Sequence, residues 1–141
     1  MVRYFAIGVF ALSLGLFLAP KNSAANDCDV LVSPREMLEC YGQQFKNAKR
    51  ELDDLLQRLN KVLNAKEQKA VKEAQAAWVT YRDAHCRSIS LPYSPGSITP
   101  AVRAACLAKL TRQRVKELSD DFQDSLEAPT GKADAPGLKK N

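Results

Sequence analysis

The residues with the widest chemical scope are four cysteines, Cys28, Cys40, Cys86 and Cys106, and a single histidine, His85. A free thiol beside an imidazole can serve as nucleophile and base. Thiolates with an imidazole can hold zinc, which takes three or four ligands in fixed geometry. Both readings need reduced cysteines. The N-terminal segment reads as an export signal, and an even cysteine count in a small exported domain is most simply two disulfides. His85 then reads as a packed or surface residue. Paired carboxylates could do glycosidase work. Yet Glu36 and Glu39, Asp53 and Asp54, and Asp120, Asp121 and Asp124 have the spacing of ordinary helix-surface acids. Six scattered glycines form no phosphate loop. The sequence indicates no catalytic residue, no metal and no cofactor, and it reads as a binding protein rather than an enzyme.

Arg3, the apolar run Tyr4 to Leu18, Pro20 and the small residues Ser23, Ala24 and Ala25 form a secretory signal pattern cut after Ala25. The run is about 15 residues, short of the roughly 20 that span a bilayer. Cys28 lacks a lipobox, because Asp27 precedes it where a small residue is required. Residues 1–25 are therefore a signal peptide, 26–127 a folded domain and 128–141 a disordered tail. The tail holds Pro129, Gly131, Pro136 and Gly137, and its only bulky apolar residue is Leu138. Losing Arg3 and Lys21 leaves 19 basic against 16 acidic residues, a formal charge of +3 rather than +5. Such a weak balance on an exported chain argues against nucleic acid as a partner. The expected location is periplasmic or secreted, with no stable membrane anchor.

Helices must position these residues. Ser33-Pro34-Arg35-Glu36 predicts a helix start, with Ser33 as cap, Pro34 in the first turn and Glu36 reaching back. Tyr41, Phe45, Ala48, Leu52, Leu55, Leu59 and Val62 then recur at spacings of three and four, a seam that asks for a partner helix. Asn64 with Glu67 predicts the cap of a second helix. Its apolar stripe is expected at Val71, Ala74, Trp78, Tyr81 and His85, and Ala70, Ala74, Ala77 and Ala84 suggest close helix approach. Pro92 to Ser97 is rich in turn residues. Thr99-Pro100 opens a third helix, with Cys106, Leu107, Leu110, Arg114, Leu118 and Phe122 broadly on one side. Short connections between long amphipathic helices predict an all-α, antiparallel up-down-up three-helix bundle with both disulfides clustered at one end. A monomer is the simplest state, although the first helix's seam would also suit a dimer.

Four cysteines allow three pairings. Cys28–Cys40 with Cys86–Cys106 is favoured, and pairings joining the first helix to the others stay open. Each bond would contribute about 2–4 kcal/mol. The second would hold the loop Tyr93, Ser94, Pro95, Gly96 and Ser97 between fixed points, so it would lose less entropy on binding a partner. That makes the loop the candidate partner-binding segment. Trp78 and Arg82, four apart with Gln75 on the same face, read mainly as structure, as does Arg114.

Cys28, Met37 and Cys40, then Gln75-x-x-Trp78-x-x-x-Arg82-x-x-x-Cys86, then Cys106-Leu107 and Thr111-x-x-Arg114-x-x-x-Leu118 resemble the LprI-like family, named for a lysozyme-inhibitor lipoprotein. The similarity covers about residues 28 to 118. It implies a small exported helical domain with disulfides, and it implies lysozyme as the protein partner. Here the missing lipobox departs from the namesake. Family resemblance does not by itself carry function. The alternative is a periplasmic structural or stress protein that binds cell wall or a membrane protein without inhibiting lysozyme. Surface charge discriminates: an acidic face suits a basic lysozyme, and a basic face suits anionic wall or lipid.

Overall fold

A computed structural model describes residues 28–128, all helix and connecting turn with no strand among them. The expected signal peptide, 1–25, and most of the expected tail, 128–141, lie outside the described residues. A 3-10 turn, Cys28–Val30, leads into α1 (Pro34–Val62) and α2 (Ala65–Ser90). A second 3-10 turn, Leu91–Tyr93, precedes α3 (Thr99–Asp121) and α4 (Gln123–Glu127). Three long helices match the expectation, and α4 adds a fourth that the sequence did not suggest. It arises where α3 breaks at Phe122, whose N–H returns to the Leu118 carbonyl. The break lets Phe122 and Leu126 both turn onto the core.

The seam of α1 is buried as its spacing predicts. Ala48, Leu52, Leu55 and Leu59 are buried, and Tyr41, Phe45 and Val62 are half-buried. Leu52, Leu55, Leu59, Leu63 and Leu118 form the apolar core, with Val71, Trp78, Val115 and Phe122 packed around it. Each leucine so buried contributes about 1.5–3 kcal/mol. α3 packs along α1 and also against α2, whereas α1 and α2 share little backbone contact. Ala101, Ala104, Ala108 and Thr111 are the buried small residues of α3, and they admit its neighbours closely. The alanines of α2 do not play this part: Ala70, Ala74, Ala77 and Ala84 are all exposed. Alanine is the best helix former and marks a helix surface as readily as a contact.

The stripe of α2 is also rotated from its expected position. Ala74 and Tyr81 face solvent, with Tyr81 56% exposed. Arg82, Cys86 and Ser90 are buried, with Gln75 and Trp78 half-buried on the same side. Hydrophobic periodicity misplaces the face because an arginine and a glutamine occupy the interface.

The two predicted helix caps differ. Ser33 takes the extended N-cap backbone and Pro34 the first turn, but the Ser33 side chain makes no cap hydrogen bond. The start of α1 is tied instead by the Cys28–Cys40 disulfide and by the Tyr41 hydroxyl donating to Asp29. At α2 the capping box is complete. Asn64 Oδ1 accepts from the N–H groups of Lys66 (3.0 Å) and Glu67 (3.1 Å), and Glu67 accepts from the Asn64 N–H at 2.9 Å. Gln68 Nε2 donates to the carbonyls of Asn60 (2.9 Å) and Leu63 (2.7 Å), satisfying the open end of α1. Thr99 is no cap either: Ile98 is the N-cap of α3, and the Thr99 hydroxyl donates into the loop.

Asn64→Ala should lower unfolding free energy by about 1 kcal/mol, because two orphan donors lose their acceptor. Ser33→Ala should change it by less than about 0.5 kcal/mol, the range of a neutral surface site. Denaturant titration of the two variants checks the contrast.

Candidate partner-binding site

The disulfides are Cys28–Cys40 and Cys86–Cys106, with Cα separations of 5.9 and 5.5 Å. The second joins the last turns of α2 to the start of α3. Between these cysteines the chain is held closely. Gly96 N–H donates to the Tyr93 carbonyl at 2.7 Å, and the Thr99 hydroxyl donates to the same carbonyl at 2.6 Å. The Ser94 N–H donates to the Leu91 carbonyl at 2.9 Å, and the Ser94–Pro95 peptide is cis. A Cβ at position 96 would stand 2.7 Å from the Tyr93 carbonyl oxygen, so glycine is required there. Tyr93, Ser94, Pro95, Gly96 and Ser97 are all exposed, and Leu91 beside them is 62% exposed.

A cleft of about 500 Å³ opens beneath this loop, between α2 and α3. Arg87, Ser90 and Leu91 form one side, Ser94 the top, and Thr99, Pro100, Arg103, Ala104 and Leu107 the other. Arg87 and Arg103 are exposed, and neither has a side-chain partner among the described residues. Sequence reasoning missed both. Their signal was position: Arg87 follows Cys86, and Arg103 stands three before Cys106, so the disulfide brings them to one place.

Gln75, Trp78, Arg82 and Arg114 are brought together elsewhere, between the helices, and Thr111 lies buried on α3. The Arg82 guanidinium lies over the rings of Trp78 (5.2 Å) and Phe45 (5.3 Å) and hydrogen-bonds Asp83 through Nε and Nη2. Arg114 lies 5.8 Å from the Trp78 ring centre, donates to Gln75 Oε1 at 3.3 Å and pairs with Glu117. Thr111 is fully buried and donates to the Leu107 carbonyl at 2.7 Å. The Arg82–Phe45, Arg114–Trp78 and Arg114–Gln75 contacts join helix to helix, and a second cleft of about 740 Å³ between α1 and α2 reaches Gln75.

The surface carries both signs. Glu117, Asp120, Asp121, Asp124 and Glu127 run along the end of α3 and α4, while Arg87 and Arg103 mark the loop end. Asp120 holds the exposed Lys116 ammonium above its ordinary pKa, first through their hydrogen bond and then through its charge. His85 stacks on Tyr81 with ring centres 5.6 Å apart. No metal-binding group of His, Cys, Asp or Glu occurs among the described residues, and no described helix is long and apolar enough to cross a membrane.

The described residues form an all-helical domain with two disulfides. The family model described as lysozyme inhibitor LprI matches residues 31–118, and the chain belongs to that family. An uncharacterized protein of Rhizobium meliloti (strain 1021) is 32% identical over 126 aligned residues, covering 78% of this chain and 91% of the relative. No solved structure matches the chain. The family is one of inhibitors, not of catalysts.

Gly96→Ala should force the loop off the Tyr93 carbonyl. Faster amide hydrogen exchange at Ser94 and Thr99 is expected, with global stability changed by about 1 kcal/mol or less. Unchanged protection at both amides would show that the loop's close approach does not order it.

Proposed function

We propose that this chain is an exported lysozyme inhibitor that acts by forming a one-to-one protein complex. The carrying observation is the match to the lysozyme inhibitor LprI model over residues 31–118, which spans most of the described domain. Export follows from the signal pattern that ends at Ala25, and retention in the periplasm or secretion follows from the absent lipobox. The three long helices are taken as an up-down-up bundle. Gln75–Arg114 and Cys86–Cys106 pair α2 and α3 in opposite sequence order, which supports antiparallel packing of these two helices. The tethered loop from Tyr93 to Ser97 is the proposed contact segment, since its order is largely set before binding. The exposed Arg87 and Arg103 also favour a second reading, an envelope protein that binds anionic cell wall.

The test is a cell-lysis assay with oxidised protein starting at Asn26, titrated against chicken-type and goose-type lysozymes. Saturable inhibition near equimolar ratio, lost when the disulfides are reduced, is the expected result. No inhibition at large excess of folded protein, together with co-sedimentation on cell-wall material, would favour the second reading.

A further inference from the structure

We propose that the loop end is the lysozyme-facing surface and that Arg87 and Arg103 are its anchors, set to meet the carboxylate pair of the enzyme's sugar cleft. The assignment rests on the inhibitor reading above and names the part of the chain that carries it.

The two arginines come from different helices and line one cleft, with Ser94 and Thr99 between them. Arg35, Arg50, Arg82, Arg112 and Arg114 are each engaged by a side chain of their own protein. Arg87 and Arg103, like Arg58 on α1, have no such partner among the described residues, and of these three Arg87 and Arg103 line a common cleft. A guanidinium matches a carboxylate through parallel N–H···O bonds, so two free guanidiniums in one place suit two carboxylates in another. Lysozyme offers such a pair, because a retaining glycosidase holds its two catalytic carboxyl groups about 5–5.5 Å apart. One of them lies in an apolar setting and the other stays ionised.

Net charge supports a local contact. A mature chain of formal charge +3 gains no long-range attraction to a basic enzyme. A basic patch on its own suits anionic wall; it suits lysozyme only at the enzyme's sugar cleft, whose carboxylates are negative charge on an otherwise basic partner. Apolar contact is available in the same cleft, where Leu91 is 62% exposed, and Tyr93 in the adjoining turn is 50% exposed. Arginine and tyrosine are the side chains that most often dominate binding energy. The Cys86–Cys106 bond and the two hydrogen bonds to the Tyr93 carbonyl hold this end in place before contact. The acidic run at the opposite end is partly engaged, Asp120 by Lys116 and Glu117 by Arg114.

The experiment measures inhibition and binding of chicken-type lysozyme by the full oxidised chain, by Arg87→Glu/Arg103→Glu and by Asp121→Lys/Asp124→Lys. Circular dichroism and a thiol count confirm that each variant keeps its helices and disulfides. A chitotriose competition then asks whether the complex occupies the sugar cleft. The loop-end variant should bind at least about 30-fold more weakly, the range for breaking a desolvated charge pair. The α4-end variant should bind like the wild type, and chitotriose should compete. Wild type that inhibits while the loop-end variant inhibits equally, or a complex indifferent to chitotriose, overturns the assignment alone. Wild type that neither binds nor inhibits overturns the inhibitor reading and the assignment with it.

Discussion

The indole of Trp78 is the point on which the helix arrangement depends. Arg82 from its own helix and Arg114 from α3 both lie over its ring, and Arg82 also covers Phe45 of α1. One aromatic face thus connects all three long helices. Cation–π contacts gain strength as they are desolvated, up to about 2 kcal/mol or more. Arg82 is 9% exposed, so its charge must be met inside the protein. Asp83, its immediate neighbour, accepts from both Nε and Nη2. A lysine could not offer that planar fork while lying flat on two rings. This junction matters more because α1 and α2 touch little through their backbones. α3 lies against both, and side chains from α2 must cross to Phe45.

From this junction the molecule differs in its two directions. Towards the α1–α2 turn and α4 lies the leucine core. In the other direction the apolar residues are small, and the two disulfides and a side-chain chain take over. Gln44 donates to the sulfur of Cys28 at 3.0 Å and accepts from Arg112 at 3.0 Å, linking the first disulfide to α3. Covalent ties at this end compensate for the thinner core, as a small domain with little buried surface requires. They also fix the ends of the loop that the core alone could not order. The surface proposed for recognition thus lies where cross-links, and not packing, set the backbone.

Much of this was legible in the sequence. The α1 seam and the Asn64–Glu67 cap follow from spacing and capping chemistry, and the favoured disulfide pairing is the one formed, although spacing left pairings between α1 and the other helices open. The face of α2 was not legible from hydropathy, since Arg82 and Gln75 score as surface residues while Tyr81 and Ala74 score as core. The motif Gln75, Trp78, Arg82 and Cys86 did mark the true face, because those residues recur at spacings of three and four. The Ser33 cap failed because Tyr41, Asp29 and a disulfide hold that helix start, contacts that no local pattern announces. Phe122 read as one more core residue of α3, and nothing in its neighbours signalled the break that makes α4. The loop was visible as a turn, but Arg87 and Arg103 came to line one cleft only once α3 packed beside α2.

Recognition by such a chain would depend on the helix ends staying in register, and the register depends on Trp78 with its arginines. The most direct measurement is a double-mutant cycle on unfolding free energy with Trp78→Leu, Arg82→Met and both together. A coupling of about 1 kcal/mol between the two sites is predicted from a desolvated cation–π contact. Additive effects, equal within about 0.3 kcal/mol, would contradict the central place given to this contact.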